Sequence, residues 1–440
     1  MRAVVLCGGV AKRMQPLRED KFMLDFLGRP LLLHTVDMLR AAAVDEFVFV
    51  VAPQSMTRVH SVVDGIKNAT CYVVPQDEAT GMAGAIVQAS EFLDGPVLVV
   101  SSNDVVEADA YRMVLSAGLR DDVSACLLAR RVHEYFPGGY LVTDSDDAVS
   151  AVVEKPAPGL EPSNLVNVVV HYHRDGRVLW DALSRAHTQE DDQYEVALGL
   201  LISEGRVIRA VPYEGPWAAL KYPWHVLGVM EHFLDSVEAE VPPSAHIAAS
   251  AVLSGNVVLG EGVRILENAV IRGPAYIGDN TIIGNNVLIR GGSHIGAGSV
   301  VGYSTEVKHS YVGKNCWFHS NYVGDSIIDD DCSFGSGAVT ANLRLDEGSV
   351  GVVVNGARQD TGLKKLGVVM GKGCRVGINA SLMPGIRVGQ GAQVGAHVCL
   401  RSDLQAGKMA VPLGEYGVID VPQPARGTSL ERERPTREFE

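Results

Sequence analysis

The amino-acid sequence predicts an α/β domain built on a mainly parallel sheet, followed by a parallel β-helix of hexapeptide repeats. Three observations point there: strand–helix alternation over residues 1–235, a six-residue aliphatic period from Ile247 onward, and an excess of glycine. With 440 residues the chain can form about two or three domains with large cores. Its 47 glycines lie well above the usual ~7% and show no G-X-Y period, so the excess belongs to an architecture with many tight corners.

The first half is read in chain order. Arg2–Leu6, Glu46–Ala52, Cys71–Val74, Val97–Val100 and Val123–Leu128 are β-rich runs of strand length. Pro30–Ala42, Met82–Phe92 and Ala110–Leu119 carry apolar residues at helical spacing between them. Val207–Val211 reads as a later strand and Pro223–Val237 as a closing helix. Such alternation predicts a sheet covered by helices on both faces, with a site at the carboxyl ends of its strands.

The pattern changes at Val241-Pro242-Pro243. From Ile247 an aliphatic residue recurs every sixth position, through Leu253, Leu259, Ile265, Ile271, Ile277, Ile283, Ile289, Ile295, Val301 and Val307. A small or β-branched residue follows four positions later, as at Val263, Ala269, Ala275 and Val287. Neither a helix nor a simple strand has this period; a three-sided parallel β-helix does, with the aliphatic residue inside and the small one at the corner. The register slips near Tyr311–Asp331, is lost over residues 341–367, where an extended loop is expected to leave the prism, and resumes at Met370. The expected domains are 1–238, 239–420 and a polar, disordered tail at 421–440.

Composition excludes several functions. A formal charge of −14 argues against a nucleic-acid partner, which requires a basic surface, but leaves room for a local anion site. The seven cysteines are scattered with no CxxC pair, as in reduced cytosolic proteins. The opening MRAVVLCGG is too short for a signal peptide and no run is long enough to span a membrane, so a cytoplasmic protein is expected.

The first candidate site follows the first strand: Leu6-Cys7-Gly8-Gly9-Val10-Ala11-Lys12-Arg13-Met14-Gln15-Pro16-Leu17. Paired glycines let backbone N–H groups approach a phosphate, and Arg13 can add a bidentate clamp. The loop is neither a Walker loop nor GxGxxG. It resembles the signature of sugar-phosphate nucleotidylyltransferases, keeping Gly9, Arg13, Met14, Pro16, Leu17 and the later Lys21. With the repeats added, the whole chain resembles bifunctional nucleotidylyltransferase/acetyltransferases of the archaeal type. That resemblance implies a Rossmann-like nucleotidyltransferase domain followed by a left-handed parallel β-helix.

The resemblance further implies that Gly8, Gly9 and Arg13 bind the triphosphate and that Lys21 binds the α-phosphate. Gln76 and Gly81 would recognise a uracil or thymine base, and Asp104 would hold Mg²⁺. Gly139, Glu154, Lys155 and Asn167 would bind the sugar. The implied substrates are UTP or dTTP and a sugar-1-phosphate. Several positions depart from the pattern: Ala11, Asp20, Met82 and Asn103, and above all Ala219 in Trp217-Ala218-Ala219-Leu220-Lys221-Tyr222-Pro223. Ala219 stands where the family has its second metal-binding group, and alanine cannot coordinate a cation. Lys221 in the same motif can supply positive charge instead.

The second candidate site is Phe318-His319-Ser320-Asn321-Tyr322-Val323-Gly324-Asp325, where the slipped register is expected to project side chains outward. A histidine titrating near neutrality suits general-base chemistry. The segment resembles that of glucosamine-1-phosphate acetyltransferases. The resemblance implies His319 as base, Arg290, Lys308 and Tyr322 on the sugar phosphate, Asn342 placing the substrate, acetyl-CoA as cosubstrate, and a homotrimer formed through the prism. One rival reading is a regulatory or scaffold protein whose degenerate first domain only binds nucleotide or nucleotide sugar. Another is an acyltransferase whose first domain only senses nucleotide sugar. Ala219 and Met82 favour the scaffold; Arg13, Lys21, Asp104 and His319 count against it.

Overall fold

The computed structural model describes residues 1–8, 12–17, 20–77, 81–414 and 417–420, so Gly9, Ala11 and the expected tail lie outside the described residues. The central strand Arg2–Cys7 pairs in parallel with Glu46–Val51 on one side and Val97–Ser101 on the other. Thr70–Pro75 extends the parallel half beyond Glu46–Val51. On the far side Leu165–His173 runs antiparallel to Val97–Ser101, and the antiparallel ladder of Gly139–Thr143 and Val149–Glu154 completes that edge. The sheet is therefore mixed, and its antiparallel edge goes beyond what alternation alone predicts.

The helices are α1 (Leu31–Ala41), α2 (Met56–Val63), α3 (Gly81–Gln88), α4 (Ala108–Ala117), α5 (Gly176–Arg185), α6 (Gln193–Ser203) and α7 (His225–Leu234). α5 starts where the Asp175 carboxylate accepts the Arg177 N–H and turns Leu179, Ala182 and Leu183 inward. The helical segments expected from the sequence do not include α2, α5 or α6, although α2 and α5 each carry a clear apolar stripe. In α6 the reason is physical: it packs against α3, α5 and the strand Val149–Glu154, so apolar residues surround it and no clean stripe remains.

Apart from a hairpin at 351–360, the described residues from His246 to Val411 form three sheets whose strands pair in parallel from coil to coil, the left-handed parallel β-helix expected from the hexads. They start at His246–Ile247, Val252–Ser254 and Val257–Leu259, and a terminal hairpin, Lys408–Val411 with Gly417–Asp420, ends the first. Leu259, Ile265, Ile271, Ile277, Ile283 and Ile289 stack inside, with Val263, Ala269 and Val287 buried beside them. Ile247 is 38% exposed because no coil precedes it. The slipped register is a set of shorter coils: Ile277 pairs with Ile295, whereas Val312 pairs with Ile328. Phe318 and Val323 remain inside there, and only some side chains project.

The third sheet is covered. Its outward residues Tyr276, Tyr311, Ile327 and Val369 join one core with Phe26, Leu220, Trp224 and α7 residues of the first half. The Tyr311 hydroxyl donates to Asp25 O at 2.9 Å, and Lys314 Nζ lies 2.6 Å from Asp25 Oδ2. The segment 341–367 carries the hairpin Gly351–Val354 with Ala357–Asp360, and Val350, Val352 and Val354 enter the same core. The expected loop does leave the repeat, but it folds back over the junction.

Candidate functional site

The strand order reverses around Arg2–Cys7, so the crevice beyond it and Val97–Ser101 is where an α/β sheet admits a ligand. Asp104 sits at that end, 3% exposed, on the short strand Asp104–Val106 paired antiparallel with Trp217–Ala219. The register sets Ala219 directly opposite Asp104. Trp217 Nε1 donates to Asp104 Oδ1 at 3.2 Å, and Lys221 Nζ lies 3.5 Å from Asp104 Oδ2. Lys21 Nζ donates to Leu220 O at 2.8 Å. Burial, and then the ammonium of Lys221, bring Lys21 down to about 7, with Asp104 acting in the opposite sense. The Arg13 guanidinium is 5.8 Å from the centre of the Tyr222 ring, and Lys221 Nζ is 5.9 Å from that of Phe136.

The base loop lies beside this cluster. A Cβ at Gly8 would overlap Gln76 Oε1, so a side chain there would displace the Gln76 amide. Gln76 Nε2 donates to Gly81 O at 3.1 Å. Gly81 opens α3 at φ +71°, and a side chain on it would collide with Asp191.

On the sugar side Gly139 pairs with Glu154 across the ladder, with the Asn167 side chain beside Gly139. Lys155 Nζ lies 2.8 Å from Glu154 Oε1 and 3.5 Å from Asp191 Oδ2. Asn167 Oδ1 accepts a hydrogen bond from His171 Nε2 at 2.8 Å, while Nδ1 of that ring is 2.8 Å from the Tyr194 hydroxyl. Glu195, partly buried on α6, is pushed up to about 8, by burial and then by the Glu154 carboxylate. Asp191, Glu195, His171 and Tyr194 join these positions with no signal in the sequence, because no spacing links α6 and the segment before it to the strands they cover.

The donor set is one carboxylate short for a divalent ion. Mg²⁺ is usually held by one or two carboxylates together with substrate phosphate oxygens and water. Asp104 is the carboxylate here, and both its oxygens have partners. Ala219 offers no side-chain ligand, and its carbonyl accepts from His225 Nδ1 at 2.7 Å. Asn103 Oδ1 is buried with no hydrogen-bond partner, but it is a neutral oxygen. Among the described residues no group of three or more His, Cys, Asp or Glu side chains could hold a metal.

The second site lies on the prism sheet that begins at Val252–Ser254. Lys308 on Glu306–Lys308 and Tyr322 on Tyr322–Gly324 occupy adjoining rungs, and Asn342 follows the next rung, Val339–Thr340. The Asp325 carboxylate joins them: Lys308 Nζ is 2.6 Å from Oδ2, and Asn342 Nδ2 donates to the same oxygen. Asn342 Nδ2 is also 3.2 Å from the Tyr322 hydroxyl. Arg290 lies on the preceding rung, ion-paired with Glu306 at 3.1 Å. His319 is exposed at the corner before Tyr322, and its backbone N–H donates to Asn321 Oδ1. Lys308, Tyr322 and Asn342 are thus brought together, and no contact joins the His319 ring to them within the described residues of one chain. His309, not anticipated from the sequence, lies 3.0 Å from Asp325 Oδ1 and 2.7 Å from Glu231 Oε1 of α7.

Comparison with known proteins agrees with both halves. The Nucleotidyl transferase family matches residues 2–234, and the bacterial transferase hexapeptide family matches residues 274–309. "Bifunctional protein GlmU" of Methanocaldococcus jannaschii is 30% identical over 412 residues, which cover 92% of this chain and 96% of the relative. The protein of that name from Methanococcus maripaludis strain C7 is 34% identical, with the same shares covered. A "Bifunctional sugar-1-phosphate nucleotidylyltransferase/acetyltransferase" of Sulfurisphaera tokodaii is 28% identical over 393 residues, 88% of this chain and 94% of the relative. No helix among the described residues is long and apolar enough to cross a membrane.

Proposed function

The chain belongs to the bifunctional sugar-1-phosphate nucleotidylyltransferase/acetyltransferase family, and we propose that it performs both transfers in nucleotide-sugar biosynthesis. The carrying observation is the cluster of Arg13, Lys21 and Lys221 at the carboxyl ends of the central strands, with Lys155 of the Gly139–Glu154 ladder within electrostatic range of Arg13. A nucleoside triphosphate is the anion such a cluster suits, with Gly8, Gly9 and Arg13 on the triphosphate and Gln76 and Gly81 on the base.

A phosphate oxygen of the sugar-1-phosphate attacks the α-phosphorus in line. The new P–O bond forms, the bond from that phosphorus to the bridging oxygen breaks, and pyrophosphate leaves with the electron pair. The nucleophile is already ionised, so catalysis consists of positioning and charge neutralisation. The negative charge of the triphosphate opposes the influences that lower Lys21 and keeps it an ammonium on the α-phosphate. Glu154, Lys155 and Asn167 orient the sugar. UTP and dTTP are the proposed nucleotides.

At the prism, His319 takes a proton from an amino-sugar phosphate as its nitrogen attacks the thioester carbonyl of acetyl-CoA. The C–N bond forms, the C–S bond breaks, and the thiolate leaves to become CoA-SH. Arg290, Lys308 and Tyr322 hold the phosphate, and Asn342 helps place the substrate. A homotrimer through the prism would bring a neighbouring chain to the exposed His319. The free thiols support a cytoplasmic location. The chain's coverage of its bifunctional relatives disfavours the scaffold reading.

The test measures pyrophosphate release from UTP or dTTP with a panel of hexose-1-phosphates, and CoA-thiol release from acetyl-CoA with glucosamine-1-phosphate. Silence in the first assay sinks the nucleotidyl half. Silence in the second, or an unchanged rate in His319→Ala, sinks the acetyl half.

A further inference from the structure

We propose that the ammonium of Lys221 takes the place of a divalent cation at the triphosphate, so that this site binds nucleotide without requiring a metal. The inference rests on the nucleotidyl-transfer reading above and deepens it. Its observations come from the short ladder Asp104–Val106 with Trp217–Ala219. This ladder sets residue 219 opposite Asp104, where a second carboxylate would complete a cation site, and the residue there is alanine. Beyond the ladder the chain turns at Leu220, held by Lys21 Nζ at 2.8 Å, and brings Lys221 Nζ to 3.5 Å from Asp104 Oδ2. A positive charge therefore lies beside the carboxylate of a site that lacks one ligand.

The surroundings fit a fixed cation better than an exchangeable one. Lys21 lies within electrostatic range of Lys221, Asp104 and Arg13. Lys221, Arg13 and a part-ionised Lys21 around one carboxylate give a net positive cluster, which repels a free dication and attracts a polyanion. Lys221 is three-quarters buried and lies over the Phe136 ring, so its charge is positioned in a poorly solvated setting. In the transfer step the charge that grows on departing pyrophosphate is met by Lys221 and Arg13, and no co-reactant is needed to balance it.

The experiment measures binding of UTP and dTTP by calorimetry, in EDTA and in excess Mg²⁺, with pyrophosphate release followed alongside. Four proteins are compared: wild type, Lys221→Met, Lys221→Arg, and the double variant Ala219→Asp/Lys221→Gly. Thermal midpoints report whether each is folded. The proposal expects wild-type affinity in EDTA within about threefold of that in Mg²⁺. Lys221→Met loses roughly tenfold in EDTA, the scale of one charge-assisted hydrogen bond, and Lys221→Arg keeps most of the affinity. The double variant, with two carboxylates and no ammonium, binds nucleotide only with Mg²⁺. Wild type that binds nucleotide and releases pyrophosphate only with Mg²⁺ overturns the inference and leaves the nucleotidyl reading standing. Absence of nucleotide binding and of pyrophosphate release under both conditions overturns both.

Discussion

His309 Nδ1 lies 3.0 Å from Asp325 Oδ1 within the prism, and the ring so held also ties the prism to the first half of the chain. The other ring nitrogen reaches Glu231 on α7, so one imidazolium bridges the first half and the prism. The same aspartate holds Lys308 of the acetyl site. Hydrogen bonds to Asp325 and Glu231 raise His309 to about 9 despite its burial. Burial acts to raise Asp325, but its bonds to His309, Lys308 and Asn342 outweigh that and leave it below the usual range.

The bridge predicts a pH-dependent stability. A histidine raised from its ordinary ~6.5 contributes fully below that value and loses its contribution as pH rises through about 9. The thermal midpoint of wild type should exceed that of His309→Gln most at pH 6, and the gap should close by pH 10. A gap independent of pH would contradict the bridge.

Asp325→Asn should weaken the hold on Lys308 and His309 together. One or two charge-assisted hydrogen bonds correspond to a roughly ten- to hundredfold fall in kcat/KM for CoA-thiol release. Pyrophosphate release should stay near wild type. An equal fall in both assays would indicate general unfolding.

His319→Ala should lower CoA-thiol release about 10²- to 10⁴-fold, the usual contribution of a general base, with little change in pyrophosphate release. Raising the pH should not restore the variant, because the base is absent and not merely protonated.

Arg387 on the prism donates to Gln15 O at 3.3 Å, supporting the loop after the first strand from outside its own domain. Arg387→Ala should raise KM for the nucleoside triphosphate about threefold and leave CoA-thiol release unchanged, as fits loss of one modest hydrogen bond. Titrating both substrates separately checks this.

Ile283→Ala should cost about 2–5 kcal/mol, because Ile283 is fully buried inside the prism and neighbouring coils cannot close the cavity. Val339, 36% exposed, should change stability by less than about 0.5 kcal/mol when replaced by alanine. Matched thermal or denaturant unfolding separates the two.

Much of the prism was legible before any coordinate. Ile265, Ile271, Ile277 and Ile283 repeat with the coil, so a linear period maps directly onto side-chain direction. The strands around Arg2–Cys7 were legible for a similar reason, as short β-rich runs between amphipathic helices. Glu195 was not, because it becomes a site residue only when α6 folds over the ladder carrying Glu154. The hairpin at 351–360 leaves no mark in the repeat, because its valines serve the junction of two domains and no neighbouring coil.

The sequence by itself determined the two architectures, the order of the segments that resemble the family's phosphate, base and sugar motifs, and the absence of a side-chain ligand at Ala219. Those properties reside in periodicity and residue chemistry along the chain. Only the tertiary structure decided that Lys221 stands at the Asp104 carboxylate, that His309 bridges α7 to the prism, and that one prism face is covered. These are contacts between residues distant in sequence, and their geometry follows from how strands pair and domains pack.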